Sequence, residues 1–433
     1  MRFSRVVDKK ETRGPDSRPE PLRYMKILEI NAFYYPRGGS ETVFFNTSEL
    51  LRRHGHEVIP FALKWDENLP SPYSRYFPES KDSRSGLMRV PGNIVSYFYH
   101  FDAAARLQQL IDAEHPDLAQ IHLIWGQLSP SILKVLRRNG IPAVLTAHDY
   151  RLVCPDFLFR DSQGRVCEEC QGRKFWKCVA NRCCRGSRAL SLMMAAEQYT
   201  RNLLFHPAGL LDGLIYVSDF SREIHQRYMP RLKEVPDLRL YNTAPSIAAE
   251  PSASEDYYLY FGRLSAEKGV ATLLEAAASL PEVNFRIAGS GPLEQELKAT
   301  SDRLRLTKVE FVGFKKGEAL RRLVAGARMV IVPSECYENN PLSVVEAYSA
   351  GVPVIGASIG GIPEIIREGQ TGFTFAVGDA SALAATVAKA EALSPGELTA
   401  MRREALDFAR ANFDSERYYD SLIAFFRSLT AKK

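Results

Sequence analysis

At 433 residues the chain exceeds the ~250–300 residues at which a single hydrophobic core stops growing, so two or three domains are expected. Hydrophobic, charged and aromatic fractions of 45%, 25% and 10% are globular values and exclude wholesale disorder, collagen-like repeats and coiled coil. A net charge of +5 is too mild to call for nucleic acid, and no run of ~18 apolar residues could span a bilayer, since the densest stretch, Leu203 to Val217, is broken by His206 and Asp212.

Residues 1–24 hold seven basic and four acidic side chains with Pro15, Pro19 and Pro21 and no apolar h-region, so they read as a disordered leader rather than a secretory signal. A cytoplasmic location follows as the expectation, with the inner face of the membrane as a place of contact. From Met25 one grammar repeats: the apolar run Lys26–Asn31, a break at Gly38–Gly39–Ser40, a helical pattern over Glu41–Arg53 closed by Gly55, and a strand at Glu57–Phe61. Strand patterns return at Leu118–Ile124, Ile141–Thr146 and Gly213–Val217, with helical patterns at Ser129–Arg138 and from Ser221. Most of these strands are apolar on both faces, as a buried parallel sheet requires.

The Pro- and Ser-rich residues 244–254 read as a linker between a first domain, 25–243, and a second, 255–412. In the second domain strands at Tyr257–Gly262, Val283–Ala288, Val309–Val312, Met329–Val332, Val352–Ile355 and Phe373–Ala376 alternate with helices at Val270–Leu280, Leu293–Leu304, Glu318–Ala325, Pro341–Tyr348 and Ala380–Ala392. The predicted fold class is therefore α/β, two doubly wound Rossmann-like domains facing a cleft, with the terminal helix of 413–433 crossing back to the first. Ligands of such sheets bind outside the carboxyl ends of the strands.

Three loops carry chemistry at those ends. In Phe261-Gly262-Arg263-Leu264-Ser265-Ala266-Glu267-Lys268-Gly269, Arg263 and Lys268 stand where two cations can clamp a phosphate next to a helix start. The turn Gly289-Ser290-Gly291 lacks the third glycine and the acidic residue of a dinucleotide fingerprint, so a structural turn is the simpler reading. In Ser334-Glu335-Cys336-Tyr337-Glu338-Asn339-Asn340-Pro341-Leu342-Ser343-Val344-Val345-Glu346, Pro341 fits the first turn of a helix carrying Glu346, and Glu338 sits at the mouth of that helix, so both carboxylates can face one cleft. In the first domain Gly38 and Gly39 permit close backbone approach beside Arg37, and His148 stands at the end of a buried strand. A glycine turn can be only a turn, and a histidine there can be a core residue satisfied by a carbonyl.

The spacing from Glu338 to Glu346 resembles the E-x7-E signature of retaining glycosyltransferases of family 4, which have the GT-B fold, and the resemblance covers about Met25 to Thr430. It implies a hexosyltransferase-type enzyme that moves a sugar from a nucleotide-diphosphate sugar to a saccharide or lipid-linked acceptor, in surface polysaccharide or glycan biosynthesis. It further implies that Arg263 and Lys268 hold the donor diphosphate, that Glu346 binds the ribose hydroxyls, that Glu338 contacts the transferred sugar, and that backbone amides over Asn339, Asn340, Pro341 and Leu342 touch sugar and phosphate. The loop at Gly38 and Gly39 would meet diphosphate and acceptor, and His148 the sugar. With cations at the leaving group and no Asp-x-Asp at a strand end, no catalytic metal is expected. Two rivals remain: a nucleotide-sugar 2-epimerase-like enzyme, and a sugar-nucleotide-binding protein without catalysis.

The insertion at residues 151–190 departs from the minimal pattern. It holds Cys154, Cys167, Cys170, Cys178, Cys183 and Cys184 among nine basic and four acidic residues. A C-x2-C pair with two further thiols suits a structural zinc, assigned mainly to Cys167, Cys170, Cys178 and Cys183 with Cys154 and Cys184 as substitutes; an iron–sulfur centre, free thiols or disulfides are the alternatives. Tyr97, Phe98, Tyr99 and Phe101 beside Arg106 are candidates for contact with a bilayer interface, and equally for core.

Overall fold

The computed structural model describes residues 24–80, 91–244 and 246–431; the predicted leader, apart from Tyr24, lies outside them. Six parallel strands form the first sheet: β1 (Lys26–Ile30), β2 (Glu57–Phe61), β3 (Leu118–Ile121), β4 (Ala143–Ala147), β5 (Gly213–Tyr216) and β6 (Asp237–Arg239), in the order β2-β1-β3-β4-β5-β6. The sequence reading lacked β6, which is three residues long and only partly buried, so hydrophobic patterning does not mark it.

Successive strand residues point to opposite faces of a sheet, and the first domain buries both faces. Leu28, Ile30, Ile59, Phe61, Ala119, Ile121 and Leu145 pack under helices Phe101–Glu114, Ser131–Arg138 and Asp219–Tyr228. Ile27, Val58, Leu118, Val144 and Ile215 pack on the other side against Leu50 and Leu51 of helix Gly39–Arg53 and against Tyr418, Leu422, Ile423 and Phe426. Those last four belong to helix Ser415–Thr430, so the end of the chain covers one face of the first sheet.

The second sheet is β7 (Tyr258–Phe261), β8 (Phe285–Ala288), β9 (Val309–Phe311), β10 (Met329–Val332), β11 (Val354–Ala357) and β12 (Gly372–Phe375), all parallel and ordered β12-β11-β10-β7-β8-β9. One continuous core fills this domain and takes in Leu398, Met401, Ala405 and Phe408 of helix Pro395–Asn412. Because β10 follows β9 in sequence but pairs with β7, the strand order reverses between β7 and β10, and the loops leaving those two strands part to open a crevice. That crevice is where the Arg263–Lys268 and Glu338–Glu346 loops lie.

The glycine turn after β8 is structural. Gly289 has φ +155°, and a Cβ there would come within 1.9 Å of the Gly262 carbonyl oxygen, so this turn serves as the backing of the Gly262–Leu264 loop. Leu264 N donates to Ser290 O at 2.9 Å and completes that contact.

The cysteine-rich segment begins directly after β4 and is tied down by charge. Arg151 and Arg201 flank the buried Glu197 at 3.7 and 3.0 Å, while Gln198 and Arg201 both donate to the Arg151 carbonyl oxygen at 2.8 and 2.9 Å. Helix Arg188–Leu204 is thus pinned to the segment's first residues. The aromatic run before it is mostly drawn inward: Tyr97 contacts Arg151 and packs against Phe98, whereas Phe101 is 67% exposed.

Candidate active site in the interdomain cleft

Lys268 donates from Nζ to Glu338 Oε1 at 2.6 Å, and Ser334 donates from Oγ to the same oxygen at 2.7 Å. Burial by itself would raise the Glu338 carboxyl, but the Lys268 charge and the bonds from Lys268 and Ser334 outweigh it and leave the group below its ordinary value. Lys268 moves the other way, since the Glu338 charge more than offsets its own desolvation and holds it protonated. The two loops at the β7/β10 crevice are therefore joined by one ion pair.

Arg263 lies exposed in the same loop, and its guanidinium has no bond to another side chain among the described residues. The Arg263 carbonyl, in contrast, is fixed by the Tyr260 hydroxyl at 2.7 Å. Glu346 sits half-buried on helix Leu342–Ser349 with no side-chain partner among the described residues, and desolvation raises its carboxyl to about 7. Pro341 is the cap of that helix rather than part of its first turn, and its extended conformation ends the loop.

The turn that holds Glu338 and Asn339 depends on glycines that sequence reading did not single out. Gly360 has φ +61°, and a Cβ on Gly361 would stand 1.9 Å from the Asn339 carbonyl oxygen. Gly361 N also donates to the Glu338 carbonyl at 2.7 Å. The pair was legible as Gly360-Gly361-Ile362-Pro363 after β11, but two glycines after a strand say nothing about which distant backbone will press on them.

Contacts from the first domain complete the cleft. Asn339 Nδ2 donates to the His148 carbonyl oxygen at 2.7 Å, and a Cβ built on Gly39 would lie 3.6 Å from Leu342 Cδ1. The N-termini of helices Gly39–Arg53 and Leu342–Ser349 thus approach each other across the cleft, so two sets of free backbone amides and two dipole ends border one space. Asn242 donates from its backbone N to Asn340 Oδ1 and from Nδ2 to the Asn340 carbonyl oxygen, each at 2.8 Å, and Glu364 accepts from the Asp219 and Phe220 amides and the Tyr241 hydroxyl. Tyr337 crosses to the first domain, where its hydroxyl bonds Glu168 at 2.8 Å and its ring packs on Phe220. Asn242, Glu364 and Tyr337 were also missed as cleft residues.

His148 is half-buried, and its Nε2 lies 2.7 Å from Nδ1 of the buried His122, whose own Nε2 lies 2.9 Å from Glu29 Oε2. Burial lowers both imidazoles, His122 to about 3, and raises the Glu29 carboxyl. Glu29 and His122 were not anticipated as part of the site. The available signal was a glutamate inside the apolar strand Lys26-Ile27-Leu28-Glu29-Ile30 and a histidine directly after the apolar β3.

The cysteines gather but do not yet form a ligand shell. Cys170, Cys178 and Cys184 share a buried cluster with Cys183 at its edge, Cys178 and Cys184 hold their sulfurs 3.8 Å apart, and Cys167 accepts from Asn181 at 3.7 Å. Among the described residues no three His, Cys, Asp or Glu side chains are arranged around one point as a metal would require. The 3.8 Å separation nonetheless equals the edge of a tetrahedron whose sulfurs stand ~2.3 Å from a zinc ion, so this pair fits two ligands of one metal.

Comparison with known proteins is consistent across the two domains. A model of "Glycosyltransferase Family 4" matches residues 37–235, and one of "Glycosyl transferases group 1" matches residues 246–406. The chain is 36% identical over 378 residues to sulfoquinovosyl transferase SQD2 of Arabidopsis thaliana, covering 84% of this chain and 66% of that one. It is 29% identical over 164 residues to the putative colanic acid biosynthesis glycosyltransferase WcaL of Escherichia coli, covering 36% of this chain and 40% of that one. The matched segments thus span less than two thirds of the length of these curated relatives. Among solved structures, sucrose-phosphate synthase from Thermosynechococcus elongatus superposes with a TM-score of 0.69 at 20% identity, covering 94% of this chain and all of that one. The Anabaena protein HepE, solved with UDP-glucose, gives 0.60 at 19% identity over 94% of this chain and all of that one. These likenesses establish the fold, and with the two family models they place the chain among the GT-B glycosyltransferases of the family 4 type.

Proposed function

We propose that the cleft transfers a hexosyl group from a nucleotide-diphosphate sugar to a saccharide or lipid-linked acceptor with retention of anomeric configuration, in the synthesis of a surface polysaccharide or glycolipid. The observation that carries this reading is the Lys268–Glu338 pair, set at a β7/β10 crevice that opens onto Gly39 and His148. Relatives named for colanic acid and sulfoquinovosyl transfer, and a neighbour solved with UDP-glucose, support the substrate class.

The residues divide the work. Arg263 and Lys268 bring positive charge to the diphosphate, and amides at the two helix N-termini add donors, so negative charge developing on the leaving oxygen is stabilised without a divalent ion. Glu346 accepts from the ribose hydroxyls. Glu338, held by Lys268 and Ser334 through Oε1, keeps Oε2 for a hydroxyl of the transferred sugar. The donor C1–O bond breaks as the acceptor oxygen bonds C1 from the same face, and the acceptor proton passes to the departing phosphate oxygen. Glu338 is engaged by two donors, which favours this front-face route over attack by its carboxylate. A screen of nucleotide sugars by thermal shift, followed by transfer to saccharide acceptors, tests the reading; a donor that binds the folded state raises the melting temperature.

The cysteine segment takes a separate, structural part in this proposal. A zinc bound by thiolates of Cys167, Cys178 and Cys183 together with Cys170 or Cys184 would staple the insertion beside His148, supplying folding free energy and no chemistry. The Cys178–Cys184 spacing supports the set that includes Cys184.

A further inference from the structure

Glu29, His122 and His148 form a single file of hydrogen bonds running from β1 to the cleft, with links of 2.9 and 2.7 Å. Glu29 and His122 are fully enclosed, His122 being held edge-on by Phe44 at 5.2 Å, and only His148 is partly open. His148 spends Nε2 on His122, so Nδ1 is the ring atom left for the cleft, and its backbone carbonyl is already occupied by Asn339. In a file of neutral rings each link carries one proton. All donors therefore point outward, giving Nδ1–H at the cleft, or all point inward, leaving a bare Nδ1 lone pair there.

The buried end decides between the two. Glu29 Oε1 has no hydrogen-bond partner and is sealed from solvent, and among the described residues no cation bonds the carboxyl. An ionised carboxylate with an orphaned buried oxygen is costly, whereas a carboxylic acid donating from Oε2 leaves only a carbonyl oxygen unmatched. Its raised carboxyl agrees with that state.

We propose that Glu29 and His122 are positioning residues that hold His148 in the Nδ1–H form, so that the cleft receives a hydrogen-bond donor directed at a hydroxyl oxygen of the sugar. This deepens the transferase reading and rests on it for the identity of the ligand, but the tautomer itself does not. A single neutral ring without the file would interconvert between forms, and an enzyme that needs a donor would lose the fraction in the wrong one. A neighbouring group fixing a catalytic imidazole's tautomer is an established device in hydrolases. Here the group is an acid and a second imidazole instead of a carboxylate.

The experiment is nitrogen-15 NMR of the full chain labelled on histidine, which reads the protonated ring nitrogen directly and needs no substrate. His148, assigned by its loss in His148→Asn, is expected as Nδ1–H in the wild type and in Glu29→Gln, whose amide can still donate to His122. In Glu29→Leu the two forms should mix, and kcat should fall roughly 10-fold or more with KM changed by less than about 3-fold, the size typical of losing an outer supporting bond. Finding Nε2–H on His148 in the wild type overturns the proposal whatever the variants do. An unchanged tautomer and kcat in a folded Glu29→Leu overturns it as well. If no nucleotide sugar is turned over, the spectrum still decides the tautomer, and only the transferase reading fails.

Discussion

Asn339 reaches across the cleft to donate to the His148 carbonyl at 2.7 Å, so the residue after the first signature glutamate is bonded to the end of β4 in the other domain. The donor-side loop and the His148 end of the first sheet are held in register by this bond, by the two bonds that Asn242 donates to Asn340, and by Glu364 on the start of helix Asp219–Tyr228. Catalysis that depends on groups from both domains needs such registration, because a misplacement of about 1 Å can cost on the order of 100-fold in rate.

Arg263→Ala should leave stability unchanged, since the side chain is exposed and bonds no other side chain among the described residues, yet lower turnover by about 100-fold through loss of one preorganised charge at the diphosphate. Lys268→Ala should do the same to turnover and also lower the melting temperature, because it strands the buried Glu338 carboxylate. Steady-state kinetics beside thermal melts separate the two. Normal activity in the double variant would remove the diphosphate clamp from the account.

Glu346 gives a signed pH prediction. Burial raises its carboxyl to about 7, above the ordinary 4.5, so in the free protein the folded state holds the proton more tightly than the unfolded one between those values. Its contribution to stability is therefore present at low pH and fades as pH rises through about 7. The melting temperature of wild type minus that of Glu346→Gln should fall from pH 5 to pH 8. Donor affinity should run the opposite way, strengthening as the carboxylate forms to accept ribose hydroxyls. A flat difference across this range would show that Glu346 is not desolvated in solution.

Much of this was legible from sequence because apolar runs and their spacing report buried strands and the helices between them. Loops such as Arg263–Lys268 and Glu338–Glu346 follow strands, so their place at carboxyl ends could be inferred. What escaped were relations set by tertiary geometry. Gly361 matters only because the Asn339 carbonyl presses on it, and Glu364 only because two amides of helix Asp219–Tyr228 point at it. Glu29 is a lone carboxylate inside the apolar run Lys26–Asn31, and nothing local to it names His122 as its partner, 93 residues away.

Protein purified without chelator should carry about one zinc per chain by elemental analysis. Cys178→Ser combined with Cys184→Ser should abolish it and lower the melting temperature, as expected when metal binding is folding free energy. Zinc-free wild type, or brown protein with charge-transfer absorption, would reject zinc in favour of free thiols or an iron–sulfur centre.

Besides the exposed Phe101, a second surface suits the expected contact with a bilayer. On helix Arg188–Leu204, Leu192, Leu203 and Leu204 are 60%, 76% and 60% exposed, and Arg188 at the start of the helix is exposed as well. Apolar residues beside cations suit an anionic lipid surface. The protein should sediment with vesicles containing phosphatidylglycerol and less with phosphatidylcholine alone, and Leu203→Ser with Leu204→Ser should weaken it. Equal absence of binding to both vesicles would reject this surface as a membrane contact.

Proton NMR of the glycosidic linkage formed from a nucleotide sugar, in buffer containing EDTA, reads at once the stereochemistry of transfer and its need for a divalent ion. The expected product has the anomeric configuration of the donor, and the rate is maintained over the minutes of the assay, because Arg263 and Lys268 supply the charge at the leaving diphosphate. An inverted linkage, or immediate loss of turnover restored by Mg²⁺ or Mn²⁺, would contradict this mechanism.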